Sequence, residues 1–381
     1  MTRLGDVLKI EASAKPAEGD KFWLLNLDMV EQQTGRVIAY NYVGQDALNG
    51  SIIQFDTNCV LYSKLRPNLN KVVLPREDGF ATSEMLPLRP DTRVLTKEYL
   101  TVFLRSESFV TWAVSKTAGA KMPRLGTKEL LSKEIPLPSL SEQERIAQRF
   151  AKIDELIALR KEQLAKLDQL VKSRFIELFG SLNDNEKGLD IVSIEELCTL
   201  IKDGTHQTPT YTDDIQNGFK FLSSKDVMTQ KICWDDIKYI PAELHKKLYA
   251  TIQPHRNDIL MSKNGVNYGV AAVNDTDEVF DIYVSLALLR PRTNRVNPVY
   301  LRCAINNPDT KRQFDSSIKG IGVPNLHLGE IKRTKVLLPP MNQQNQFVTF
   351  VEQIDKTKLT IQTSLDKLEV MKKALMQQYF G

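Results

Sequence analysis

Two stretches of the chain place apolar residues at alternating steps of four and three. The first runs through Ile146, Phe150, Ile153, Ile157, Arg160, Leu164, Leu167, Val171, Arg174 and Leu178. The second runs through Phe347, Val351, Ile354, Lys358, Ile361, Leu365, Leu368, Lys372, Leu375 and Tyr379. Such a rhythm is a heptad seam and predicts a long amphipathic helix in each stretch. Basic residues interrupt the two seams at non-equivalent places. Ser141 with Glu144 predicts a capping box after Pro136 and Pro138, Asn342 predicts a cap after Pro339-Pro340, and Gly180 predicts a C-cap. Each helix would run for about 37 residues, roughly 55 Å. A stripe of that length outruns one globular neighbour, so the two helices are expected to pair with each other.

Upstream of each seam the pattern changes. Short β-rich runs such as Cys59–Ser63, Val72–Leu74, Ile259–Ser262 and Val270–Val273 are bounded by Asn, Gly and Pro, while Lys97–Ser106 and Pro298–Asn306 read as helices. The two halves are copies. Leu88-Arg89-Pro90 returns as Leu289-Arg290-Pro291, Tyr99-Leu100 as Tyr300-Leu301, Gln143 as Gln344 and Phe179-Gly180 as Phe380-Gly381, all 201 positions later. Farther upstream the register slips by two, so that Ser63-Lys64 matches Ser262-Lys263. A constant offset that also keeps turn residues and apolar spacing marks a duplication. The predicted fold is therefore α+β: two mixed heads separated by two long helices that form an antiparallel coiled coil, with pseudo-two-fold symmetry. The expected boundaries are a head over 1–135, a helical spacer over 136–180, a second head over 181–335 and a second spacer over 336–381.

Composition narrows the class. With 42% apolar and 26% charged residues among 381, the chain suits a folded protein of two to three domains. No apolar run reaches the roughly 18 to 20 residues needed to cross a bilayer, and the first twenty residues do not read as an export leader, so a cytoplasmic protein without a membrane partner is expected. Cys59, Cys198, Cys233 and Cys303 lie far apart, and His206, His245, His255 and His327 show no tight spacing, so neither a zinc site nor a disulfide framework is expected. A net charge of +4 means that any nucleic-acid surface must be local.

Catalytic signatures are thin. Asn297-Pro298-Val299-Tyr300 is similar to the adenine-binding box of amino-methyltransferases, but Val299 replaces its second proline and no glycine-rich cofactor turn accompanies it. Pro308-Asp309 with Glu330-Ile331-Lys332 mimics a metal-dependent nuclease, chemistry that needs the two acids on adjoining strands. A nuclease using Asp309, Glu330 and Lys332 is the competing enzyme reading, and a coiled-coil scaffold with no DNA role is the competing structural one.

Binding chemistry is better represented. After the strand ending at Ser63 come Lys64, Arg66, Asn68, Asn70 and Lys71, bases for phosphate mixed with amides able to read adenine edges. The matching segment offers Lys263, Asn264 and Asn267. A second pair of equivalent loops carries Lys116, Lys121 and Arg124 in one copy, and Lys319, Asn325 and His327 in the other. Thr205, His206, Gln207 and Thr208 add a polar turn.

The chain resembles type I restriction-modification specificity subunits along essentially its whole length. The resemblance rests on Ile135-Pro136-Leu137-Pro138-Ser139-Leu140-Ser141-Glu142-Gln143 before a helix ending in Phe179-Gly180. It is echoed by Val336-Leu337-Leu338-Pro339-Pro340-Met341-Asn342-Gln343-Gln344 before a helix ending in Phe380-Gly381. It implies two target-recognition domains, each reading one half of a split double-stranded DNA site, with two methyltransferase subunits around the helices and restriction-translocation subunits added for cleavage. Methyl donor, ATP and Mg²⁺ would then belong to those partners, and this chain would need no cofactor and carry no catalytic centre.

Overall fold

The structure is a computed structural model and describes residues 1–11, 21–48, 52–119, 121–318 and 324–381. The chain divides into two compact units: Met1–Glu162 with Ile361–Gly381, and Gln163–Thr360. Each contains one head and parts of both long helices.

In the first unit an antiparallel sheet runs in the order Leu8–Ile10, Met85–Pro90, Val60–Ser63, Val72–Val73. A second sheet runs Tyr42–Val43, Phe22–Leu25, Gly79–Thr82, Ile52–Phe55, and there Phe22–Leu25 lies parallel to Gly79–Thr82. Val60–Ser63 is buried along its whole length because it separates two cores. Val60 and Tyr62 pack with Leu88, Leu100 and Phe109, while Leu61 packs with Trp23, Phe55 and Met85. Successive strand side chains point to opposite faces, so a strand with a core on each side reads as an unbroken apolar run.

The second unit repeats this plan. Its antiparallel sheet runs Cys198–Asp203, Leu286–Pro291, Ile259–Ser262, Ala271–Val273. Ile259 and Met261 join one core with Leu289, Tyr300 and Phe314; Leu260 joins another with Phe280 and Leu288. The second sheet, Lys238–Ile240, Phe219–Leu222, Phe280–Ile282, again contains one parallel pairing. Helices Lys97–Leu104, Glu107–Ser115 and Thr127–Ser132 recur as Pro298–Ile305, Pro308–Ser317 and Leu328–Arg333. The predicted strands and helices thus form within one or two residues of their expected bounds.

The same joint connects head and helix in both units. Gln143 is fully buried: its Oε1 accepts from the Thr96 N–H at 2.9 Å, and its Nε2 donates to the carbonyls of Val94 at 2.8 Å and Pro138 at 2.9 Å. Gln344, also fully buried, accepts from the Asn297 N–H at 2.8 Å and donates to Arg295 at 3.2 Å and Pro339 at 2.8 Å. The Tyr99 hydroxyl donates to the Pro136 carbonyl at 2.9 Å, as Tyr300 does to Leu337 at 2.8 Å. Every partner is displaced by the same 201 positions.

The helices span Leu140–Phe179 and Met341–Phe380, 40 residues each. They begin earlier than expected. The Ser139 hydroxyl, not Ser141 in a box with Glu144, receives the Glu142 N–H at 3.4 Å. In the second helix the Pro340 carbonyl accepts from Gln343 and Gln344, which leaves Asn342 inside the first turn instead of capping it. The glutamine joint sets these starts, because it fixes the chain immediately before each helix. Gly180 ends the first helix as expected, with φ 77° and its N–H on the Ile176 carbonyl at 2.7 Å.

Within each unit the helix segments run antiparallel. In the first, Arg149 donates to the Tyr379 hydroxyl at 2.9 Å, Asp154 pairs with Lys372 at 2.6 Å, and Lys161 with Glu369 at 3.5 Å. In the second, Asp168 pairs with Lys358, and Phe175 and Phe179 pack on Phe347 at ring separations of 5.5 and 5.6 Å. Two of the bases that interrupt the seams, Lys358 and Lys372, thus find acids on the opposite helix, whereas Arg174 pairs with Glu177 on its own helix at 2.8 Å. Ile146, Phe150, Ile153, Phe347, Val351 and Leu365 are buried, and Ile157, Leu164, Leu167, Val171, Leu178, Ile354, Ile361, Leu368, Leu375 and Tyr379 are half-buried.

Candidate nucleic-acid interface

In the first unit the loop after Val60–Ser63 is laced to the loop before Thr127–Ser132. The Arg66 N–H donates to the Pro123 carbonyl at 2.8 Å, the Leu125 N–H donates to Lys64 at 2.9 Å, and Leu65 bridges Arg124. Two expected loops therefore become one surface. On it Arg66, Asn68, Lys116, Lys121 and Arg124 are exposed and Lys64 is half-buried. Arg124 is held by Glu84 at 3.0 Å, which offsets its charge.

Asn70 and Lys71 do not belong to that surface. Asn70 is buried with its Nδ2 on the Arg105 carbonyl at 3.1 Å, and the Lys71 ammonium donates to the Leu27 carbonyl. Burial pulls the Lys71 ammonium below the usual lysine range. Both residues tie the loop to the head.

The second unit makes the equivalent connection. Gly265 donates to the Pro324 carbonyl at 3.1 Å, Leu326 donates to Lys263 at 2.9 Å, and Asn264 bridges Asn325. A third loop joins here. Asp203 accepts Lys263 Nζ at 2.5 Å and faces His206 Nε2 at 3.6 Å. Lys263, with only 4% of its surface exposed, is thus an internal tie and not the phosphate contact expected of it. Gly204 lets the third loop enter: a Cβ there would lie 2.2 Å from the Ile282 carbonyl oxygen. Thr205 pairs its backbone with Tyr283, and His206, Gln207 and Thr208 are exposed, as are Asn267, Asn325 and His327 on the loops laced to it. Lys319 lies outside the described residues.

The enzyme-like motifs resolve into structural parts. Asn297 caps Pro298–Ile305 through the Val299 N–H at 2.9 Å, and Tyr300 is core. Asp309, in the first turn of Pro308–Ser317, pairs with Arg312 and accepts the Leu182 N–H at 2.7 Å. Glu330 and Lys332 sit on the short helix Leu328–Arg333, paired with Arg333 and Glu195 at 3.2 Å each. The acids occupy two helices instead of adjoining strands, which removes the geometry a nuclease reading requires. Burial pushes the Cys198 thiol up to about 12 and raises that of Cys59, which keeps both in the unreactive thiol form. Among the described residues no group of three or more His, Cys, Asp or Glu could hold a metal ion, and no helix is long and apolar enough to cross a membrane.

A duplicated head that presents laced loops of bases, amides and hydroxyls, jointed to paired helices, defines a two-headed recognition protein. The model of the type I restriction modification DNA specificity domain matches residues 1–169 and 186–370, and the chain belongs to that family. The MjaVIII type I restriction enzyme specificity subunit of Methanocaldococcus jannaschii is 22% identical over 404 aligned positions, covering 99% of this chain and 90% of the relative. The EcoDI specificity subunit of Escherichia coli is 29% identical over 156 positions, covering 39% of this chain and 34% of its own length. Among solved structures, the type I restriction-modification system S subunit from M. genitalium aligns over 100% of this chain and 95% of its own, with a TM-score of 0.58 at 14% identity. A chain from a structural study of type I R-M complex assembly and conformational transition aligns over 100% and 96%, with a TM-score of 0.58 at 18% identity. These two likenesses concern the fold.

Sequence reasoning missed Phe175 and Phe380. Both are buried one position beyond a seam residue and join the cores of the heads. The extra aromatic beside each seam was the available signal, since it widens the stripe toward a second contact.

Proposed function

We propose that this chain is the sequence-reading subunit of a type I restriction-modification complex. Each head reads one half of a bipartite double-stranded DNA target, and the paired seams set the non-specific gap and dock two methyltransferase subunits. The heads correspond to residues 1–135 and 181–335, the helical spacers to 136–180 and 336–381. The observation that carries this reading is the matched lacing of loops, Arg66 to Pro123 in one head and Gly265 to Pro324 in the other. It gives two related surfaces whose exposed side chains differ, as reading two different half-sites requires.

In the first head Lys64, Lys116 and Lys121 contact phosphates and fix register, Arg124 adds a charge largely offset by Glu84, and Arg66 and Asn68 reach base edges. In the second, His206, Gln207, Thr208, Asn264, Asn267, Asn325 and His327 present donors and acceptors with little charge. Adenine methylation and ATP-dependent restriction come from partner subunits that hold their own methyl donor, ATP and Mg²⁺, and the complex works in the cytoplasm.

Mapping methylated adenines in cells carrying this chain with its modification subunit tests the reading. A split target is expected, and exchanging the head 1–135 for that of another family member should change one half-site only. A change in both half-sites, or an unsplit target, would overturn it.

A further inference from the structure

We propose that Arg66 reads a guanine edge in the major groove of the first half-site, an inference that rests on the DNA-reading role above and assigns one residue its base. The two copies act as controls for each other. Aligned on Ser63-Lys64 and Ser262-Lys263, Arg66 matches Gly265 and Asn70 matches Gly269. All four are left-handed, with φ of 50° at Arg66, 84° at Gly265, 48° at Asn70 and 85° at Gly269. The loop demands positive φ at two places, a conformation that glycine adopts freely and a Cβ resists.

Three of the four residues are accounted for by the fold. A Cβ at Gly269 would lie 2.7 Å from the Phe314 ring. Asn70 belongs to a residue type that tolerates the left-handed region, and its buried amide bonds the Arg105 carbonyl. Gly265 is what the backbone alone prefers, and a Cβ there meets nothing within 4 Å.

Arg66 is the exception. It makes the same backbone bond as Gly265, yet it carries a long side chain that is exposed. The guanidinium reaches the Lys121 carbonyl at 3.5 Å, and among the described residues no carboxylate pairs with it, whereas neighbouring Arg124 is held by Glu84. A strained conformation kept for a side chain that packing does not use points to a ligand. A phosphate needs only a nearby cation, which Lys121 supplies without strain. A fixed, planar fork of donors is what the O6 and N7 acceptors of guanine require.

The test uses the complex of this chain with its modification subunits and duplexes bearing the methylome-defined target, with each guanine of the first half-site replaced in turn by 7-deazaguanine. One replacement should weaken wild-type binding by about tenfold. Arg66→Gly should bind the unmodified duplex about tenfold more weakly, become indifferent to that replacement, and melt at the same temperature or higher because the strain is gone. Arg66→Lys should lose the same discrimination while keeping the salt dependence. The assignment is overturned if no guanine is sensitive, if Arg66→Gly retains the sensitivity, or if it weakens all sequences alike with a shallower salt slope. Failure of even wild type to prefer the mapped target would instead overturn the DNA-reading role, and this assignment with it.

Discussion

The side chain of Gln143 closes onto the backbone of Thr96, accepting its N–H at 2.9 Å from the first turn of the long helix. Three strong backbone groups, Thr96 N–H, Val94 C=O and Pro138 C=O, are satisfied by this one buried amide. Replacing it by Leu removes the partner of all three at a position whose own side chain is wholly buried. Each orphaned buried polar group costs about 1–3 kcal/mol, and partial relaxation brings the expected loss for Gln143→Leu to about 2–4 kcal/mol. Hydrogen exchange should localise the damage: the Thr96 amide should exchange faster in Gln143→Leu while the Asn297 amide, held by Gln344, keeps its protection. Equal exchange at Thr96 in both proteins would show that the joint is held by something other than this glutamine.

Charge at the first head yields a second prediction. Lys121 is exposed and forms no ion pair among the described residues, whereas Arg124 is already neutralised by Glu84. Each phosphate neutralised on binding releases counterions and steepens the dependence of log K on log salt by about 0.9. Lys121→Ala should therefore flatten that slope by about 1, Arg124→Ala should change it much less, and Glu84→Ala should steepen it by freeing Arg124. Binding of the methyltransferase complex to target duplex between 50 and 200 mM salt, about the range over which the effect is large, decides the matter. An unchanged slope for Lys121→Ala would take Lys121 off the interface.

A third prediction concerns pH. Asp56 is partly buried, which alone would raise its pKa, but the Arg89 guanidinium at 2.9 Å and the Asn58 N–H hold the carboxyl below the usual carboxylate range. A folded-state pKa below the unfolded value of about 4 means that the stabilisation is present above that value and disappears as pH falls through the folded pKa. With the side chain about one-third exposed, solvent screening limits the effect to about 1 kcal/mol. Thermal unfolding should thus show Asp56→Asn less stable than wild type at pH 7, with the gap closing as the pH falls below about 4 and through the folded pKa. A gap that persists at low pH would mean that the loss reflects packing, not charge.

Periodic features were legible in the sequence, and orientation was not. Heptad spacing and the constant offset survive translation into structure because both are properties of the chain itself. Whether Asn70, Lys71 or Lys263 faces solvent depends on where the backbone turns, and the left-handed residues at 66 and 70 turn it so that Asn70 points inward. Asp203 is the partner that draws Lys263 inside, from 60 positions away, a distance at which no local pattern carries information. The helix starts were misplaced for the same reason: Ser141 and Asn342 have capping chemistry, but the long-range bonds of Gln143 and Gln344 fix where each helix begins.

The proposed ruler role of the helix pair makes a last prediction, in which twist decides as much as length. One heptad inserted in both helices, between Glu162 and Gln163 and between Thr360 and Ile361, keeps both seams in phase and lengthens the pair by about 10 Å, the length of about three base pairs. Three base pairs turn DNA by roughly 100°, however, whereas a seam drifts only about 20° per heptad. A head so displaced would meet the wrong face of the duplex, and methylation should fall. Three heptads in each helix add about 31 Å, or about nine base pairs, nearly a full turn of DNA, so the duplex ends roughly 40° short of a whole turn. A left-handed pair with a pitch near 150 Å turns in the same sense by about 75° over that length, which leaves a mismatch small enough for the joints to absorb. Methylome sequencing should then find both half-sites unchanged and the gap longer by about nine base pairs, with activity higher than in the one-heptad variant. Full methylation at the original gap in either variant would show that the helices do not set the spacing.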